Sequence, residues 1–94
     1  MKMRLLIFFM SKIYSVYVLR SLSSGKHSVG MVIDVEARLK EHNRGKSRFT
    51  KGHIPWELLY AEEVGEAALA RKREKCLKTA AGKRYLKQLG VLGD

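Results

Sequence analysis

Apolar and polar positions change rhythm several times along the chain. Ile13–Arg20 is dense in Tyr, Val, Ile and Leu, which predicts a strand. Ser21–Lys26 is polar, with Gly25 able to take positive φ, and predicts a turn. His27–Val32 returns as a second strand, so the two form an antiparallel hairpin. Asp34 is placed to cap a helix over Val35–Asn43, which Glu36 and Lys40 support by their spacing and which Asn43 and Gly45 end. A loop over Arg44–Pro55 leads to the apolar run Trp56–Tyr60, a third strand entered at Pro55, where no ladder hydrogen bond is needed. Glu66–Thr79 consists of strong helix formers. Gly82 interrupts the pattern, and Lys83–Leu89 makes a short last helix closed by Gly90. The order β-β-α-β-α-α implies an α+β domain built on a small, mainly antiparallel sheet. One domain is expected over residues 12–90, after an extension over 1–11 that is disordered or loosely packed, and before a tail over 91–94.

Three groups of side chains stand out from this pattern. The helix from Glu66 carries an apolar stripe of Ala67, Ala70, Leu77 and Ala81, and Glu74 falls inside it. A carboxylate there needs a partner. That partner is either a nearby Arg or Lys or a metal ion, and spacing does not choose between them. Asp34, Arg38 and His42 lie four apart on one helical stripe. The plain reading is an Asp34–Arg38 surface pair with a bystander histidine. The functional reading is a cation and an imidazole presented together to a phosphate. Tyr14 and Tyr17 point to opposite faces of the first strand.

Charge changes the picture more than composition does. The net charge is +10. Residues 38–53 and 71–87 together hold 14 of the 19 basic residues against Glu41 and Glu74. Such blocks repel themselves unless a polyanion is near, and nucleic acid is the expected partner, bound largely through counterion release. Arg20, Lys40, Arg44, Lys46, Arg48, Lys51, Lys75 and Lys78 are the candidate phosphate contacts. The lone Cys76 permits no internal disulfide and points to a reducing, cytoplasmic setting. The three histidines lack zinc-ligand spacing. The run Leu5–Met10 is too short to span a bilayer, so no membrane partner is expected, and Met10 is an alternative start.

Ser15-Val16-Tyr17, ten intervening residues, then Ser28-Val29-Gly30 resembles the signature of the GIY-YIG nuclease superfamily. The stretches "ARLKEHNRGKSRFTKGHIPWELLYAEE" and "ARKREKCLK" are similar to small stand-alone members related to the nuclease domain of the bacterial excision-repair endonuclease. The resemblance covers about Lys12–Lys87. It implies a three-stranded antiparallel sheet flanked by helices, and metal-dependent hydrolysis of DNA phosphodiesters, with a link to DNA repair. By position, Tyr17, Arg38 and His42 match the family's catalytic residues. Glu74 matches its metal ligand, for one Mg²⁺ or Mn²⁺ ion.

The sequence departs from the signature in both tripeptides. Ser15 stands in place of a glycine, which strand geometry tolerates. Ser28 stands in place of the second tyrosine, and a serine hydroxyl is shorter and far less acidic than a phenol of pKa about 10. Val32 and Ile33 also stand where small relatives tend to carry polar residues. Losing one general base commonly costs about 10²- to 10⁴-fold. Two functions therefore compete: an endonuclease working through Tyr17 at reduced rate, and a catalytically silent nucleic-acid-binding module. A small basic accessory protein that grips RNA or a protein partner is a third.

Overall fold

The computed structural model describes residues 12–93. The elements are β1 (Tyr14–Ser21), β2 (His27–Val32), α1 (Val35–Asn43), β3 (Trp56–Gly65), α2 (Ala67–Leu77) and α3 (Ala80–Gln88), with a single 3-10 turn at Lys51–His53. This is the α+β architecture that the pattern predicts. The expected extension over 1–11 lies outside the described residues.

The sheet is antiparallel with order β2-β1-β3, so the first strand is central. Alternation along β1 feeds two layers. Val16 and Val18 face Ala70, Leu77 and Leu86 of the α2–α3 layer, with Tyr14 at the margin. Tyr17 and Leu19 face Trp56, Val35 and Leu39, the layer of α1. Val32 packs into this second cluster while Ile33 is exposed. Of these two apolar residues, only Val32 therefore joins the core.

The caps follow local chemistry. The Asp34 side chain accepts from the Ala37 amide at 3.0 Å and starts α1. Asn43 does more than end that helix. Its side chain donates to the Trp56 carbonyl at 3.1 Å and accepts from the Trp56 amide at 2.7 Å, fastening α1 to the start of β3.

Three boundaries differ from the sequence reading. β3 runs to Gly65 rather than stopping at Tyr60, because its acidic second half still pairs with β1: Ser15 lies opposite Glu63 and Val16 opposite Glu62. The last helix starts at Ala80, capped by Thr79, whose hydroxyl accepts from the Gly82 amide at 3.1 Å. Gly82 thus lies inside α3 and does not break it. A Cβ there would collide with the Cys76 carbonyl and with Leu77 Cα, so glycine is what lets the α2–α3 corner close. Ala81 accordingly leaves the stripe of Ala70 and Leu77 and is exposed. Val91 and Leu92, expected in the tail, pack against the α2–α3 cluster.

Candidate active site

The site begins with a missing side chain. Tyr17 on β1 lies directly opposite Gly30 on the edge strand β2. A Cβ at position 30 would sit 2.5 Å from the Tyr17 hydroxyl oxygen, so glycine is required for the phenol to lie across β2. From that position the Tyr17 Oη meets His42 Nε2 at 3.2 Å. The other imidazole nitrogen, Nδ1, lies 2.7 Å from Thr50 Oγ1. Tyr17, His42 and Thr50 are all largely buried, which strengthens this chain of polar contacts.

Burial lowers the His42 pKa below its ordinary 6.5, the positive charge of Arg38 lowers it further, and Glu41 opposes both. The imidazole is therefore neutral at neutral pH, with one nitrogen a donor and the other an acceptor. Arg38 stands one turn before His42 on α1. Its pKa is raised, in the first place by the Tyr17 hydroxyl, with burial opposing and Glu41 adding to the rise. Arg38 Nη1 donates to Glu41 Oε1 at 3.1 Å. The sequence pairs Arg38 with Asp34 instead, but Asp34 is occupied as the helix cap.

These groups open onto a cavity of about 400 Å³ lined by Tyr17, Arg38, His42, Ser28, Glu74 and Lys78. Ser47, Phe49 and Thr50 of the basic loop complete its wall. Residues from α1, β1, β2 and α2 thus converge around the edge strand, although α1 and α2 lie on opposite faces of the sheet. Glu74 enters from α2, between the buried Ala70 and Leu77, with its side chain 19% exposed. Lys78 Nζ donates to its Oε2 at 2.8 Å. The partner that the sequence demanded for Glu74 is thus a lysine in this structure.

Among the described residues no three of His, Cys, Asp and Glu cluster as a ready-made metal site. The donor set nonetheless suits one kind of ion. Mg²⁺ keeps much of its water and needs only one or two carboxylates plus substrate phosphate. Glu74 lines the same cavity as the Tyr17 phenol and makes no hydrogen bond through Oε1 among the described residues.

The candidate phosphate contacts divide. Lys78 lines the cavity with the catalytic candidates. Lys40, Arg44, Lys46, Arg48, Lys51 and Lys75 are exposed on surrounding surface and do not line it. Arg20 is held elsewhere, its Nη2 2.8 Å from Glu57 Oε1 on β3. Sequence reasoning missed Thr50, which nothing in its spacing from His42 announces. It also missed the reason for Gly30, for which a glycine inside a predicted strand is a readable sign of close approach. Phe49 was missed as well; it is 88% exposed on the basic loop.

A model described as the GIY-YIG catalytic domain matches residues 13–87. The chain belongs to the GIY-YIG family. A UPF0213 protein of Staphylococcus epidermidis is 36% identical to it over 75 residues, covering 79% of this chain and 90% of the relative. A UPF0213 protein of Staphylococcus aureus is 36% identical over 73 residues, covering 77% and 88%. The solution NMR structure of a UPF0213 protein from Bacillus halodurans shares 28% identity, covers 82% of this chain and 84% of that one, and superposes with a TM-score of 0.49. Membership of the GIY-YIG family places the chain in a nuclease superfamily whose substrates are nucleic acids and whose members generally depend on a metal ion. No helix of this GIY-YIG domain, among the described residues, is long and apolar enough to cross a membrane.

Proposed function

We propose that the chain is an endonuclease hydrolysing phosphodiester bonds of DNA, with Tyr17 and His42 as the base pair, Arg38 as the phosphate ligand and Glu74 as the metal ligand. The observation that carries this reading is the buried Tyr17–His42–Thr50 chain opening onto the same cavity as Arg38 and Glu74. With His42 protonated at Nδ1, the imidazole donates to Thr50 Oγ1 and Nε2 accepts from the Tyr17 hydroxyl. The phenol then takes a proton from the attacking water as it passes its own to Nε2. Arg38, held charged, neutralises the charge that builds on the phosphate oxygens. When bound at Glu74, Mg²⁺ or Mn²⁺ supplies polarisation of the phosphate and neutralisation of the departing oxygen.

Ser28 lines this cavity in place of the second phenol. The reading assigns the base to Tyr17 and His42, so catalysis survives at a lower rate. The same substitution favours a second reading, a silent module that binds nucleic acid on this surface. The lone, exposed Cys76 fits a reducing, cytoplasmic setting.

The deciding experiment compares Mg²⁺-dependent cleavage of branched, single-stranded and duplex DNA by the parent chain, Glu74→Ala and Ser28→Tyr. Cleavage by the parent that Glu74→Ala abolishes supports the enzyme. Cleavage by Ser28→Tyr alone supports the silent module. Cleavage unaffected by Glu74→Ala removes the metal assignment.

A further inference from the structure

A second cavity, of about 610 Å³, lies beside the candidate active site on the α2–α3 face of the sheet. Its apolar lining is Val18, Val29, Leu77, Leu86 and Leu92. Lys26, Lys78, Lys83 and Lys87 line it too, and among the described residues no Asp or Glu does. Lys83 and Lys87 are one helical turn apart on α3 and project from the same side. Among the described residues, Lys26, Lys83 and Lys87 make no ion pair; Lys78 reaches Glu74. The two cavities share Ser28, Val29 and Lys78 as walls.

An apolar floor within four ammonium groups is a poor fit for a bare anion, which would have nothing to do with the floor. It is equally poor for a neutral apolar ligand, which would leave the lysines repelling one another. A nucleotide satisfies both parts: its base covers the floor and its phosphate meets the lysines. We infer that this cavity is a nucleotide subsite, holding a nucleotide of the strand next to the phosphate that occupies the candidate active site.

The position of the subsite gives it a role. Lys78 and the Ser28–Val29 segment of β2 form the boundary between the two cavities, so a strand passing over β2 places consecutive phosphates on Arg38 and on the lysines. A base seated on the partly exposed Val29 and Leu92, over the buried Leu86, is unstacked from its neighbours. Single-stranded, looped or branched nucleic acid provides such a base at lower cost than intact duplex does. The inference rests on the proposed function for its role, but its ligand chemistry stands without cleavage.

The test therefore reads binding alone. The parent chain, isotopically labelled, is titrated with thymidine 5′-monophosphate, inorganic phosphate, thymidine and an acidic hexapeptide of glutamates, and followed by NMR shifts. The expected result is that the nucleotide shifts Val29, Leu86 and Leu92 and binds about tenfold more tightly than phosphate. Lys83→Gln with Lys87→Gln should weaken nucleotide binding about tenfold. Arg71→Gln with Lys72→Gln, which removes equal charge from exposed positions of α2 outside both cavities, should leave it within about twofold. Leu92→Ala should weaken the nucleotide and leave phosphate unchanged, which separates the floor from the charge. Phosphate binding as tightly as the nucleotide overturns the inference. So do shifts spread evenly over the basic surface, or preference for the acidic peptide. Nucleotide binding at these residues without any DNA cleavage retains the subsite and removes the nuclease. Cleavage without it does the reverse.

Discussion

At the residue scale, Gly30 and His42 set what the site can do. Gly30→Ala places a methyl group 2.5 Å from the Tyr17 hydroxyl, so either the phenol moves or the strand does. The expected outcome is a loss of cleavage of about 10²- to 10⁴-fold, the usual worth of a positioned base. A destabilisation of about 1–3 kcal/mol from overpacking, read by urea unfolding, should accompany it. His42 supplies a pH signature with a definite sign. Its folded pKa lies below the unfolded 6.5. As pH falls through about 6.5 the unfolded chain takes up a proton that the folded chain refuses, so stability declines until the folded value is reached. Denaturant midpoints across this window should show the decline in the parent and a flatter profile in His42→Gln. Cleavage should rise with pH only through the lower, folded pKa, at the acid edge of this window, because the proposed mechanism uses the base form of His42. Tyr17, Arg38 and His42 were singled out in the sequence by the family resemblance, and the structure brings them around one cavity. Thr50 was not, since the contact it makes depends on how the basic loop folds back under α1.

At the element scale, the corner between α2 and α3 shows where reading a sequence reaches its limit. Glycine is the poorest ordinary helix former, so Gly82 reads as a break. The structure keeps it inside α3 because its missing Cβ lets the Cys76–Leu77 backbone come close. Propensity and packing therefore predict opposite signs for Gly82→Ala. Propensity alone offers a gain of about 1 kcal/mol. The backbone contact, which no rotamer change relieves, should outweigh it and leave the variant less stable by about 1 kcal/mol or more. Thermal unfolding of the pair decides between them. The same limit explains β3. Its second half is Glu-rich and looks unlike a strand, yet pairing with β1 carries it to Gly65. Glu62 is used there: Arg73 Nη2 from α2 reaches it at 3.1 Å, and the Tyr60 hydroxyl donates to it at 2.9 Å. Desolvation and Glu62 push Tyr60 up to about 12. Arg73 also stacks 5.0 Å over the Tyr85 ring of α3, so one arginine joins β3, α2 and α3.

At the scale of the whole molecule, the order of elements and the antiparallel sheet were readable from the pattern of strands and helices, and the helices flanking that sheet followed from the family resemblance. Which basic residues meet was not. The two basic blocks come from opposite faces of the sheet, and the cavity brings Arg38 of one beside Lys78 of the other. The remaining charge surrounds that point and is mostly exposed. Nucleic-acid binding should therefore weaken steeply with salt, with a log–log slope of about −0.7 to −0.9 per phosphate neutralised. Filter binding or fluorescence anisotropy between low and moderate salt gives the slope. Affinity that stays flat would remove the charged surface from the account.

The Glu74–Lys78 contact has a thermodynamic consequence. An i,i+4 pair of this exposure is worth only about 0.3–0.5 kcal/mol, and Lys78 is 53% exposed. A phosphate arriving at Lys78 competes for the ammonium group and leaves the Glu74 carboxylate more available to a divalent ion. Ion and strand then bind with positive linkage, each raising the affinity of the other by the same factor. The Mn²⁺ affinity measured by calorimetry should rise when thymidine 5′-monophosphate is present, and Lys78→Gln should remove the difference. Such a chain would stay largely unloaded until nucleic acid reaches it, and substrate would act as its own licence for cleavage.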